Sequence, residues 1–145
     1  MEQVLKNDIT LQCQQLVAAF AVLVDARKGD AVADLFAEDG QFDRRGAVLK
    51  GREEIRAAQS RRPPNLYTQH LCFQSHVEVL DTTRARGVTP FLLYRIECDD
   101  PAAPRLPLSL SEPEMVGHFE DEFRLTADGW RIQHRVALPV LAAPS

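Results

Sequence analysis

The sequence predicts an α+β protein: a cone-shaped, strongly curved antiparallel sheet wrapped around a long N-terminal helix, with two further short helices. Three observations carry that expectation. Helical spacing is confined to the first 61 residues, and residues 67–138 read as strands and turns, an order that belongs to α+β architectures. Residues 16–24 are nine consecutive side chains without a polar group, so this helix is apolar almost all the way round and must be enclosed by protein. A meander of about four strands curves by its own twist and needs an element to cover its apolar face. The long first helix is the one available, and the open end of the resulting cone is a pocket.

The elements follow in order. Asp8 or Thr10 can cap a helix running to about residue 27, with Cys13, Leu16, Val17, Phe20 and Val24 at i+3 and i+4 spacing. Gly29 breaks it. Asp30 can cap a short helix carrying Val32, Leu35 and Phe36 and ending near Asp39 and Gly40. Residues 41–49, with Gly46 beside two charges, suggest a small hairpin. Gly51 precedes a third helix, 52 to about 61, whose inner face is Ile55 and Ala58; Pro63 and Pro64 stop it. Residues 67–80 alternate as one strand, with Leu71, Phe73, Val77 and Val79 on one face and His70, Gln74, His76 and Glu78 on the other. Residues 88–97 form another strand, placing Val88, Leu92, Tyr94 and Ile96 opposite Phe91, Leu93 and Arg95. Residues 99–113 hold four prolines and read as a long loop or lid. Residues 114–125 and 130–138 pair across the turn 126–129. The tail, 142–145, reads as frayed. One domain is expected over residues 1–145, with its core at about 8–138.

Composition narrows the function classes. The 145 residues are 45% hydrophobic and 26% charged, with net charge −4, ordinary for a soluble globular protein. No basic stripe exists to neutralise phosphates, so no nucleic acid is expected as a partner. The apolar run of nine is too short to span a bilayer, and Glu2, Lys6 and Asp8 interrupt any leader pattern. Cys13, Cys72 and Cys98 are few, odd in number and widely spaced, which suggests neither a disulfide framework nor zinc. His76, His118 and His134 have no metal-ligand spacing. The reading is a reduced, cytoplasmic protein with no metal, no cofactor and no membrane partner.

The apolar run ends abruptly in Asp25. A carboxylate there sits against a buried surface, near a helix C-terminus whose dipole opposes its charge. The plain alternative is a solvated turn in which Asp25 pairs with Arg27 or Lys28. Arg44 with Arg45, and Arg61 with Arg62, read as solvated turns, with a ligand role as the lesser alternative.

Four motifs in order resemble one family: Leu35-Phe36-Ala37-Glu38-Asp39-Gly40, Gly51-Arg52-Glu53-Glu54-Ile55, Gly117-His118-Phe119-Glu120-Asp121-Glu122-Phe123, and Asp128-Gly129-Trp130-Arg131-Ile132 with Arg135. They resemble the SnoaL-like family, within the nuclear-transport-factor-two-like superfamily of curved-sheet cones. That superfamily spans dehydratases, isomerases, cyclases, hydrolases, dioxygenase small subunits and non-catalytic binders. The resemblance implies a catalytic aspartate near the end of the first helix, a histidine in the strand after the third helix, and an arginine in the last strand. These match Asp25, His70 and Arg135. Many dehydratase-type members also carry a tyrosine five residues before the aspartate. Here that position is Phe20, so a donor to a substrate oxygen must come from elsewhere, such as Tyr94 or Tyr67.

On this reading the protein is a cofactor-free lyase or isomerase that abstracts a proton next to a carbonyl on a hydrophobic, oxygenated small molecule. His70 is the base, Asp25 its partner and Arg135 the anion holder, with Phe20, Tyr94 and Asp121 around the substrate. Each has an alternative. Strand alternation alone puts His70 on the polar face. Arg135 can make an ion pair on the outer sheet face beside Arg131 and Glu122. Asp121 alternates with Phe119 and Phe123 and can equally be a buried partner for an arginine. His134 shares a face with Trp130, Ile132 and Val136, as a core histidine would. A non-catalytic binder of small ligands, or a structural subunit, uses the same fold. A homodimer or homotrimer through the outer sheet face is expected.

Overall fold

The computed structural model describes residues 1–99 and 105–144. Its elements are α1 (Gln3–Asp25), α2 (Gly29–Asp34), β1 (Phe36–Arg44), β2 (Ala47–Lys50), α3 (Arg52–Ser60), β3 (Leu66–Cys72), β4 (His76–Val79), β5 (Arg84–Glu97), β6 (Met115–Thr126) and β7 (Gly129–Ala142). The seven strands form one curved sheet in the order β2-β1-β7-β6-β5-β3, with β4 also paired to β5. The expected cone of helix and curved sheet is present, with more strands than a four-stranded meander. The sheet is mixed, because β1 runs parallel to β7. Of the Pro-rich loop expected over 99–113, residues 100–104 lie outside the described residues, as does Ser145 of the tail; 105–114 contain no helix or strand.

Helix α1 buries Ile9, Cys13, Leu16, Val17, Phe20, Ala21 and Val24, the expected stripe, against the concave face of the sheet. It begins well before Asp8. Nothing between Gln3 and Thr10 breaks a helix, and Glu2 precedes it without a side-chain cap bond. Its C-terminus is more specific than a glycine stop. The Lys28 N–H donates to Leu23 O at 2.9 Å and the Arg27 N–H to Val24 O at 3.0 Å, while Arg27 takes φ +60°. This is a Schellman closure with arginine in the left-handed position that glycine normally fills.

Other expectations also needed correction. The second helix stops at Asp34, and Leu35 to Gly40 do not continue it. Phe36 and Ala37 are buried in β1, where pairing with β7 overrides the helical spacing. Residues 67–80 are two strands, β3 and β4, separated by 73–75. Pro90 of β5 lies opposite this gap; its carbonyl accepts from the Phe73 N–H at 2.9 Å, and on that side of β5 it has no N–H to give. The break shifts parity. Thr68, His70 and Cys72 face inward on β3, then Ser75, Val77 and Val79 do so beyond it. Leu71 and Phe73 therefore point out, Phe73 with 62% of its surface exposed. In β5, Ala85, Thr89, Phe91 and Leu93 face the core and Tyr94 does not.

A second parity change lies in β7. Phe123 pairs with Ile132 but Glu122 pairs with His134, so Gln133 is an extra residue, a β-bulge. Trp130 and Ile132 face inward before it, and Arg135 does so after it. His134 is consequently on the outer side opposite Glu122, not a core histidine. Gly117 sits at the other β6–β7 register shift, where a Cβ would collide with the Leu138 carbonyl. The β1–β2 turn is Arg45-Gly46, at φ +53° and +86°, the mirror-image turn that suits a two-residue hairpin.

Candidate active site

Asp25 and His70 meet. The Asp25 carboxylate accepts from His70 Nδ1 at 2.7 Å through Oδ1 and from the His70 backbone N–H at 2.7 Å through Oδ2. The Thr68 hydroxyl donates to Oδ1 at 2.9 Å. The side chains of His70 and Asp25 are only 11% and 12% exposed. A carboxylate only accepts, so the neutral imidazole carries its proton on Nδ1 and leaves the Nε2 lone pair free. The solvated-turn alternative for Asp25 and the polar-face alternative for His70 are both corrected: the break after β3 puts His70 on the inner face.

Local structure explains the meeting. The Arg27 guanidinium, held over the Tyr67 ring at 5.9 Å, donates to Pro63 O at 2.8 Å and also to Leu66 O. That ties the end of α1 to the start of β3. Arg62 donates to Val24 O at 2.6 Å and to the Thr68 hydroxyl at 2.9 Å. It thereby supplies a cation at the C-terminus of α1, where the helix dipole favours one, and continues a chain Arg62–Thr68–Asp25–His70. Burial is the main reason the Arg62 guanidinium titrates below its usual range.

A cavity of about 490 Å³ opens in front of this pair. Phe20, Phe42, Phe91, Leu93 and Phe119 form its apolar walls; His70 and Thr68 are polar groups on its lining. Phe20 stands edge-on to the His70 ring, with centroids 6.4 Å apart. Neither Tyr94 nor Tyr67 lines the cavity, so neither replaces the phenol absent at position 20. Tyr94 is on the opposite face of β5, and Tyr67 packs with Arg27.

Arg135 and Asp121 are brought together elsewhere. Arg135 Nε and Nη2 donate to the two Asp121 oxygens at 2.7 and 2.8 Å, and both side chains are 0% exposed. The guanidinium carbon lies 4.0 Å from the Phe119 ring centroid and 4.3 Å from that of Phe20. Those rings separate Arg135 from the cavity, whose lining includes neither Arg135 nor Asp121. The expectation that they contact substrate is corrected: the β7 bulge sends Arg135 into the core, where Asp121 occupies it. Nη1 makes no hydrogen bond; the two ring faces are what it has in exchange. Nearby Cys13 is pushed up to about 12 by burial and then by the Asp121 charge, and burial raises Cys72 as well.

Sequence reasoning missed Thr68, Arg62 and Arg27. Thr68 had a signal, since it lies two residues before His70 and shares its strand face. Arg27 and Arg62 had none: Arg27 reaches the Pro63 and Leu66 carbonyls, and Arg62 reaches the Val24 carbonyl as well as the Thr68 hydroxyl. Arg44, Arg61 and Arg62, read as solvated turns, line the cavity with Arg95. Among the described residues no group of three or more His, Cys, Asp or Glu is placed to hold a metal, and no helix is long and apolar enough to cross a membrane.

The chain is thus a curved-sheet cone packed on one long helix, with two short helices and an acid–imidazole pair on its inner wall. The SnoaL-like domain family matches residues 8–136, and the chain belongs to it. No curated protein matches the chain. Solved structures share its fold. A hexachlorocyclohexane dehydrochlorinase, LinA type 2, superposes with TM-score 0.79 at 13% identity, covering 99% of this chain and 93% of its own. ActVI-ORFA from Streptomyces coelicolor gives 0.71 at 16%, covering 92% and 98%. Rv3472 from Mycobacterium tuberculosis, a protein of unknown function, gives 0.72 at 21%, covering 89% and 74%.

Proposed function

We propose that the protein is a cofactor-free lyase or isomerase acting on a hydrophobic small molecule by proton abstraction next to a carbonyl. The observation that carries this reading is the Asp25–His70 hydrogen bond of 2.7 Å beside an apolar cavity. His70 Nε2 takes a proton from the substrate carbon. The electron pair forms a double bond as hydroxide or another leaving group departs from the adjacent carbon. The imidazolium then returns its proton to the leaving group, or to a different carbon in an isomerisation. Asp25 keeps Nδ1 protonated and stabilises the imidazolium. Acid–base help of this kind is worth about 10² to 10⁴ in rate. An elimination also fits the name of one structural neighbour, a dehydrochlorinase.

The test is turnover on a panel of hydrophobic 3-hydroxycarbonyl compounds by wild type, His70→Gln and Asp25→Asn. Turnover lost in both variants supports the reading; equal turnover in all three removes it. Phe20 favours a second reading, a ligand-binding protein without turnover, because the wall lacks a phenol donor. Tight binding with no reaction in any of the three proteins selects it. We also propose a homodimer or homotrimer through the outer sheet face, where Leu71, Phe73 and Val88 stand exposed; sedimentation measures it.

A further inference from the structure

Arginines from three separate parts of the chain converge on the cavity: Arg44 at the end of β1, Arg61 and Arg62 after α3, and Arg95 on β5. The carboxylate on the same lining, Glu114, is engaged by Arg45 at 3.2 Å. Among the described residues Arg44 and Arg61 meet no carboxylate, and Arg95 has Glu97 only at 3.6 Å, with both side chains well exposed, an arrangement of little strength. Arg62 is committed to Val24 O and Thr68. Guanidinium groups repel one another, and here they share the lining of the cavity that reaches His70. From this collar we infer that the substrate is an amphipathic anion: its apolar body lies among Phe20, Phe42 and Phe119, and its carboxylate or phosphate is held by Arg44, Arg61 and Arg95.

Burial, then the charges of Arg61 and Arg95, hold the Arg44 guanidinium below its ordinary range; an anion among the three relieves that crowding. Arginine is also the side chain whose planar fork matches a carboxylate or phosphate in two parallel hydrogen bonds. The chain as a whole is negative, at −4, so the positive collar is local and not a by-product of overall charge. The arrangement supplies an anion holder where Arg135, closed off by Asp121, does not.

The inference rests on this cavity being the ligand site named above, but it does not need His70 to act as a base. Binding without turnover therefore tests it separately. Naphthoate, naphthyl phosphate and uncharged naphthylmethanol are titrated calorimetrically into the intact protein at low salt. The anions are expected to bind about tenfold or more tighter than the alcohol. That preference should collapse in about 0.5 M salt, where screening is short-ranged, and in the Arg44→Gln/Arg61→Gln double variant. The alcohol should bind both proteins equally, which also verifies the fold of the variant. The tighter of the two anions identifies which group the collar takes. Equal affinity for all three probes, no anion binding up to millimolar concentration, or a preference that survives in the double variant would overturn the inference.

Discussion

Two carboxylate pairs lie a few ångströms from Phe20, and they differ in what they leave free. Asp25 with His70 and Asp121 with Arg135 both close at 2.7 Å. Asp121 meets a permanent cation through two parallel bonds, at 0% exposure, with aromatic rings over the cation. Asp25 meets a ring that can take or release a proton, and the second nitrogen of that ring remains open beside a cavity. The first pair is a closed structural unit; the second is a poised one. Both pairs are largely buried, at 0% and at 11–12% side-chain exposure. What sets the second apart is the free lone pair and the space in front of it.

Breaking the core pair should have the largest effect on folding. Asp121→Ala leaves a buried guanidinium without its counter-charge, a loss of about 3–5 kcal/mol, read as a lowered midpoint in urea denaturation. Asp25→Asn should show the opposite profile. The amide keeps the size of the side chain, so stability should change by no more than about 1–2 kcal/mol, while turnover falls by about 10² to 10⁴. Equal destabilisation by both substitutions would erase the distinction.

Smaller changes sharpen it. Thr68→Val removes one hydrogen bond to Asp25 and the acceptor of Arg62. We expect about 1 kcal/mol of lost stability, a fall in kcat and little change in KM, since the hydroxyl positions Asp25. Cys13, raised to about 12 and fully buried, should resist alkylation at pH 8 in the native protein and react only on unfolding, whereas partly exposed Cys98 should react first. Labelling of native Cys13 would mean the core around Asp121 opens locally.

The smallest expected effect is a pH dependence far from both pairs. The backbone N–H of Thr83, then the Arg84 side chain, hold Asp81 down at about 2, against 3.8 without them. The folded value lies below the unfolded one, so this contribution is present above pH 3.8 and is lost as pH falls toward about 2. The stability gap between wild type and Asp81→Asn should close over that window.

Much of this molecule was legible in its sequence. The apolar run of 16–24, the Gly46 turn, the helix before Pro63 and the β6–β7 hairpin followed from local chemistry. Asp25 was singled out by the abrupt end of the apolar run, and His70 as its partner was named from the resemblance. Simple alternation pointed His70 the wrong way, because no residue type marks the break at 73–75 except Pro90 on a different strand. Arg135 failed similarly: the extra residue Gln133 is visible only once Glu122 is paired with His134. The helix expected over Leu35 to Gly40 was displaced by a parallel pairing with a strand almost a hundred residues later. The arginine collar was hidden because its members lie at the end of β1, just after α3 and on β5, and converge only in three dimensions. Local patterns set faces and turns; parity changes and long-range pairing set which side chains meet.

Nitrogen-15 NMR of the His70 ring tests the central claim most directly. We expect the neutral form of the ring to carry its proton on Nδ1 and leave Nε2 bare, with that preference weakened in Asp25→Asn. A neutral wild-type ring protonated on Nε2, or a tautomer indifferent to the Asp25 substitution, would contradict the account.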